Sequence, residues 1–600
     1  MFLKGKRSAY VIFISLTIMI VSVPCFYYIE TRFSYYFLEE YLKDHTIPED
    51  ISFSSGNTSG IRLNPSSDPT FYLACLPTEV SSFGSLRLSF SHFKILELDG
   101  HRFHSGEDIF DYAKASEETP ISMRLFAPRG ELLYEGYVQF IFSDSLPSVY
   151  LNVTENSIEA VNLSDYEDQN PIHVSSILKI INPDGSLNSL MDITIHRHGN
   201  TSFDNYDPKP YNLNLSAAKG LLGMSPCSKW VLKANAQYPT VLMKNKAALE
   251  VAKRIGCLGI PESRFVNLYI NGTYNGLYLL CQRVQSYDLM NRDGMKFLVE
   301  LDVKYHMREH YFELDGNGMA IHLPKDISEE EAKMIEQLFT MAVASVKTGK
   351  EYEQYIDLES FIKMYLLQDF FVQTDIDGDS LYFYIGNNNK IYAGPAWDFD
   401  CSCGHFTSGP YHERMSLQAR YFNDFGRLFF KELEKSDDFR RLCAEFYETH
   451  MSDVVIDYVS TTYKSEWSEI RTSANMSMKL NEMQETGNRV DDDPVALGEW
   501  LNARAAFLRD YYKNETEYNK VKFIFAWGSI TSAVKTGEPI GFLPDDRHPG
   551  NNDDIWGEID GFAKESGQIV DDKTIIWDDT TLYALYDEES MTVINGIEPL

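Results

Sequence analysis

Thr374-Asp375-Ile376-Asp377-Gly378-Asp379-Ser380 and, a short way on, Tyr392-Ala393-Gly394-Pro395-Ala396-Trp397-Asp398-Phe399-Asp400 are the two runs that decide how this chain is read. Between them, Leu381–Ile385 and Ile391–Ala393 predict two strands joined by a turn at Gly386–Asn389. The start of the first strand and the end of the second then lie side by side, about 5 Å apart. Asp375, Asp377 and Asp379 are therefore expected to meet Asp398 and Asp400 in one pocket. Carboxylates gathered in this way repel one another unless a cation neutralises them. Mg²⁺ is the natural candidate, because it takes one or two carboxylates and leaves positions for phosphate oxygens. One aspartate is then placed to take a proton from a hydroxyl while another holds the metal, the minimum apparatus for phosphoryl transfer.

Two blander readings stand beside this one. The aspartates fit solvated loops, and Asp375, Asp377 and Asp379 fit the opening of a calcium loop. The calcium reading lacks its bidentate Glu, because the twelfth position is Gly386. Trp397-Asp398-Phe399-Asp400 closes a strand rather than an open polar loop, which favours the metal.

Outward from this centre the texture is mixed α/β. Residues 358–373 (LESFIKMYLLQDFFVQ) are apolar on nearly every side, which predicts a buried central helix. Ser328-Glu329-Glu330-Glu331 predicts a capping box, and Lys246–Ile255 a helix closed by Gly256. Helices are expected through 420–515, the last capped by Asp493 with Pro494 at its first position. A basic constellation lies upstream. His196-Arg197-His198-Gly199-Asn200-Thr201-Ser202 follows a strand-like run, with Lys209, Lys229, Lys233 and Lys244 within fifty residues. Its glycine and hydroxyls suit close backbone approach to an anion; scattered surface lysines and a β-turn are the alternative. His196 and His198 lack a matching ligand pair for zinc.

The chain has 600 residues, with 54 Lys+Arg against 88 Asp+Glu and a net charge of −34. At roughly 100–200 residues per domain this means three or four domains. With 44% apolar residues it is a folded globular chain. Its acidity excludes nucleic acid as a partner recognised through bulk charge. Eight scattered cysteines, with no CxxC pair, do not make a disulfide scaffold, and Cys401 and Cys403 read as packed thiols.

Lys4, Lys6 and Arg7 precede Ala9–Ile29, an apolar run long enough to cross a bilayer core of about 30 Å. The basic residues lie only on its N-terminal side, which places the N-terminus in the cytoplasm and the bulk outside. The expected organisation is a basic tail (1–8), a transmembrane anchor (9–29), a β-rich extracytoplasmic region (30–175), a mixed α/β domain (176–515) and a small β module (516–600). The fold class is thus α+β and multidomain.

The order of segments across roughly 180–515 resembles the CotH-type spore-coat protein kinase family. The resemblance rests on His198-Gly199-Asn200-Thr201-Ser202-Phe203 with Lys209-Pro210-Tyr211, then Lys229-Trp230-Val231-Leu232-Lys233, then Lys244-Asn245-Lys246. It continues through Gly276-Leu277-Tyr278-Leu279-Leu280 and Phe297-Leu298-Val299-Glu300-Leu301-Asp302 to the block ending at Asp400. It implies an atypical, secretory-kinase-like core that uses Mg²⁺ and ATP to phosphorylate Ser or Thr of a surface or coat protein. Asp375 matches the family's catalytic aspartate, with Asp377 as the off-register alternative. Asp398 matches its metal-binding aspartate, assisted by Asp400. Arg197 or His198, Lys233, Lys244 and Asn245 fall where ATP is expected.

Departures cluster on the phosphate side. His198 stands where the family usually has Arg, Tyr238 where it has an aspartate, Lys244 where it has Arg, and Cys281-Gln282-Arg283 where it has Thr-Glu-Lys. Such changes weaken bidentate phosphate gripping. The pattern fits a weak kinase, or a pseudokinase serving as a surface binding or scaffold protein; a metal-dependent hydrolase is a third option. Thr536-Gly537-Glu538-Pro539-Ile540-Gly541 and Thr581–Tyr586 resemble one unit of the Listeria–Bacteroides repeat, which implies contact with a cell wall or surface.

Overall fold

In the computed structural model the described residues are 46–153, 155–163, 172–199, 203–204, 207–234, 238–374, 380–404, 417–420, 428–484, 493–525, 528–544 and 559–586. Among them no helix is long and apolar enough to cross a membrane. The expected anchor at 9–29 lies outside them, as do Asp375, Asp377 and Asp379. The described architecture is mixed α+β, with four open sheets and one closed barrel.

The barrel has seven strands: Ser148–Asn152, Val174–Ile181, Leu187–Arg197, Tyr211–Lys219, Cys227–Lys233, Ser263–Ile270 and Thr273–Gln282. The first strand pairs antiparallel with the second and parallel with Ser263–Ile270, and this closes the ring. Alternation along each strand sends Ile193, Ile195, Leu213, Trp230, Leu232, Leu268 and Leu280 into the barrel's own core. The opposite face of Cys227–Lys233 carries Lys229, Val231 and Lys233 outward. The opening strand, Ser148–Asn152, precedes residue 176, where the mixed domain was expected to start. Sequence texture misses it because its five residues match the short strands before them.

Val231 and Cys281 on the outside of the barrel meet Leu298, Tyr382 and Tyr384 of a second, five-stranded sheet, and Trp397 just beyond its last strand, in one buried cluster. That sheet runs Tyr311–Leu314, Asn317–Leu323, Met295–Leu301, Leu381–Gly386, Ile391–Ala393, with every pair antiparallel. The last two strands are the predicted hairpin, in register Phe383↔Ala393 and Ile385↔Ile391. Its other face, with Phe297, Val299 and Phe383, joins the largest core.

The predicted central helix forms over Leu358–Phe371 and is buried along most of its length, with Glu359 exposed near its start, as a largely apolar run requires. Asp357 caps it, accepting from Ser360 N at 2.9 Å, and it stops at Val372, which sits in the left-handed region at φ 47°. The helix expected at Lys246–Ile255 begins earlier, at Pro239, and is buried along most of its length. Ser328 and Glu331 make the predicted capping box on Glu329–Thr348. Asp493 caps Pro494–Lys513 by accepting from Val495 N and Ala496 N. Among the described residues Cys75, Cys227, Cys257, Cys281, Cys403 and Cys443 are free thiols.

The N-terminal sheets dock on the barrel through a buried carboxylate. Glu79 accepts from Thr58 Oγ1 (2.8 Å), Ser148 Oγ (2.9 Å) and Tyr150 OH (2.6 Å). Burial holds its pKa above the usual carboxylate value, against the pull of these hydroxyls.

Phe383 is fully buried among Phe339, Phe361 and Phe429, with ring centroids 5.5 to 6.1 Å away. Phe383→Ala leaves a cavity where the hairpin meets the central helix, and a loss of about 3–5 kcal/mol is expected in urea unfolding.

Candidate active site

The site lies where the outer face of the barrel meets the end of the predicted hairpin. Strand alternation carries Lys233, the last residue of Cys227–Lys233, out of the barrel core. Its side chain is 5% exposed, and its Nζ lies 2.6 Å from Asp398 Oδ1. Nζ also donates to Asn245 Oδ1 at 3.1 Å and stands 4.3 Å above the Trp397 ring. Burial works against the charge on Lys233, but Asp398 and then Asp400 outweigh it, leaving its pKa above the ordinary lysine value.

Pro239–Arg254 supplies the next two groups. Asn245 Oδ1 accepts a second bond from Phe399 N (3.1 Å), and its Nδ2 donates to Val241 O (3.1 Å). Lys244, fully buried, donates to the Asp400 carbonyl at 2.9 Å. Adjacent residues of one helix therefore hold the backbone of Phe399 and Asp400 in place.

Asp398 adopts a left-handed backbone at φ 59°, a conformation that non-glycine residues keep where the surroundings enforce it. Its side chain is 32% exposed. Burial pushes its carboxyl up, but the charge and hydrogen bond of Lys233 bring it below the usual value. Asp400 goes the other way. Burial, then the neighbouring Asp398 charge, push it up to about 6, against Lys233 and Lys244. Two carboxylates with their proton affinities driven apart offer the oxygen donors a hard cation takes.

The segment just before Asp375 is tied to this strand end. Gln373 Nε2 donates to the Asp398 carbonyl. Thr374 donates both its N–H (3.0 Å) and its Oγ1 (2.8 Å) to Cys401 O. Asp375 is the next residue in the chain; like Asp377, it lies outside the described residues.

Of the predicted site residues, Lys233, Lys244, Asn245, Asp398 and Asp400 come together. Arg197 turns elsewhere: it pairs with Asp204 at 2.6 Å and stacks on Phe203 at 4.3 Å. From the same chain run it is His198 that reaches the site, edge-on to Trp397 at 6.2 Å. Burial, with Lys233 and Arg283 nearby, pushes His198 down to about 3, so it is neutral at physiological pH.

Four contributors, Arg283, Glu300, Asp302 and His322, were not legible as site residues. Arg283 bonds Gln285 Oε1 (2.6 and 3.1 Å) and donates its N–H to Lys229 O. Burial, then Arg283 and Lys325, push Lys229 down to about 8, which marks this wall as strongly positive. The only sequence signal for Arg283 was the displaced Thr-Glu-Lys block. Across from it, Glu300, Asp302 and His322 bring ligand atoms within 4.8 Å of one another. This cluster is already compensated: Asp302 accepts from Lys304 N (2.8 Å) and Arg308 Nε (2.7 Å), and Glu300 is in ion-pair contact with His322.

A buried lysine facing paired aspartates between a barrel and a sheet is the arrangement of a kinase-like protein. The family model of the CotH kinase protein matches residues 195–508, and the chain belongs to that family. No curated protein matches the chain.

Asp400, at about 6 in the folded state against an ordinary 3.8, holds a proton through pH 4–6 that the unfolded chain releases. Stability from this group is present below pH 4 and lost as pH rises through 6. In metal-free buffer, Asp400→Asn is expected to melt above the parent at pH 8 and to converge with it near pH 4, read by thermal denaturation.

Proposed function

We propose that this chain is a protein kinase that uses Mg²⁺ and ATP to phosphorylate Ser or Thr hydroxyls of a surface or coat protein. The observation that carries the reading is the ion pair between buried Lys233 and partly exposed Asp398, with Asp400 beside it. Two oxygen donors at a partly open carboxylate pair fit Mg²⁺, which keeps its remaining positions for phosphate oxygens. Bound there, Mg²⁺ supplies neutralisation of phosphate charge. Lys233 adds a second positive charge, and Arg283 with Lys229 extends that positive wall. Asp375, one residue beyond the anchored Thr374, is assigned to orient the acceptor hydroxyl and take its proton, with Asp377 as the alternative. The proposal includes anchoring through 9–29, an extracytoplasmic bulk, and surface contact through the C-terminal module.

One observation favours a catalytically weak or dead binding protein instead. Gln282, where the family has its glutamate, is committed to structure: it accepts from Glu262 N (3.0 Å) and donates to Ser225 O (2.8 Å). Lys233 therefore leans on an amide, Asn245, and on Asp398 itself.

Full-length protein incubated with Mg²⁺ and γ-labelled ATP separates the two readings. The kinase reading expects label on protein, lowered at least about 100-fold in Asp398→Asn, since the metal-side charge acts in the transition state. A Mg²⁺-ATP thermal shift without any label transfer would establish the binding protein.

A further inference from the structure

The C-terminal sheet, residues 518–586, lies beyond the family match, which ends at 508. Its edge strand Gly528–Lys535 is nevertheless paired with a segment inside that match. Ala419 and Ser532 form an antiparallel bridge. Arg420 N donates to Thr531 O (2.7 Å), and Ala533 N donates to Gln418 O (3.0 Å). The apolar residues of the sheet, Val521, Phe523, Ile530 and Val534 among them, belong to the same core as the central helix.

The segment docked in this way delivers Arg420 into the interior, 6% exposed. Its Nε donates to Asp369 Oδ1 at 3.0 Å, and its guanidinium stacks on Tyr511 at 4.0 Å. Asp369, 1% exposed, sits in the last turn of the central helix and also accepts from Tyr512 OH at 2.8 Å. Arg504, fully buried, closes the arrangement. It donates to the carbonyls of Asp369 (2.5 Å), Phe370 (3.3 Å) and Leu417 (2.5 Å), and to Asp369 Oδ1 (3.3 Å). The helix end thus has no slack. From it the chain runs through Phe371, whose carbonyl accepts from Cys403 N at 2.5 Å, to Gln373 and Thr374, which hold Asp398 and Cys401 by their carbonyls.

We propose that the C-terminal sheet is a positioning element of the active site: by pairing with Gln418–Arg420 it seats Arg420 on Asp369, and this clamp fixes the helix end that holds the Asp398 strand. A buried carboxylate shared by two arginines is costly when one partner is lost, so removal of Arg420 is felt at the helix end. Arg420 acts through Asp369 and is a positioning residue. The effect on phosphoryl transfer rests on the kinase reading above; the positioning itself does not.

The test uses full-length protein and two variants that enter the clamp from different ends. Ala533→Pro removes the N–H directed at Gln418 and puts the proline ring against that carbonyl, while that N–H makes no bond to Tyr518–Phe525. Arg420→Met keeps the volume and removes the guanidinium, with Arg420→Lys as the conservative rescue. Leu213→Ala, inside the barrel core, serves as a control for destabilisation alone. Hydrogen exchange is read on peptides covering 371–374 and 400–404. Both variants are expected to raise exchange there above the control at matched distance below their melting points, with Arg420→Lys intermediate. In label transfer they are expected to lower kcat by about tenfold or more while the ATP KM moves little, as misplacement without loss of binding groups requires. Exchange equal to the control would overturn the proposal, as would unchanged kcat in an active parent. A parent that transfers no label defeats the kinase reading, and exchange then decides the clamp alone.

Discussion

One ion pair holds the site in its shape. Lys233 and Asp398 are 165 residues apart in sequence and come from different layers, yet meet at 2.6 Å. Lys233, 5% exposed, would not stay buried alone, since an unpaired ion in a protein interior costs several kcal/mol. Each therefore fixes where the other layer must lie. Val231 and Trp397, close by in sequence to the two charged residues, pack in the same apolar cluster that seals the layers together. Packing and pairing thus demand the same spacing.

Around that pair, most supporting contacts run to backbone rather than to side chains. Asn245 holds Phe399 N, Lys244 the Asp400 carbonyl, Gln373 the Asp398 carbonyl and Thr374 the Cys401 carbonyl. Fixing the main chain leaves the carboxylates of Asp398 and Asp400 facing one another, with the pKa of Asp400 raised to about 6 as the consequence.

The core extends further than domain-by-domain reading implies. One apolar cluster contains Phe265 at the barrel, Phe361 in the central helix and Phe523 in the C-terminal sheet. Tyr518, opening that sheet, lies 5.2 Å from Tyr511 of the preceding helix, ring to ring, and Lys535 pairs with Asp510 at 3.1 Å. The C-terminal sheet is packed against the helices beside the site.

The hairpin, the buried helix Leu358–Phe371, the Ser328 and Asp493 caps and the grouping of Asp398 with Asp400 were all readable from local pattern. Each depends on neighbours within a few residues, where period, turn chemistry and capping decide the conformation. The lysines on strand and helix were nameable as candidates, but not their partners. Arg197 and His198 are adjacent in sequence; only the folded barrel turns the first to Asp204 and the second to Trp397. Arg283 beside Lys229, Arg420 on Asp369 and the opening barrel strand Ser148–Asn152 depend on contacts between residues far apart in sequence. The sequence by itself determined the elements and the charges they carry. Which charges face each other was decided by tertiary packing, because long-range burial selects partners that no local period encodes.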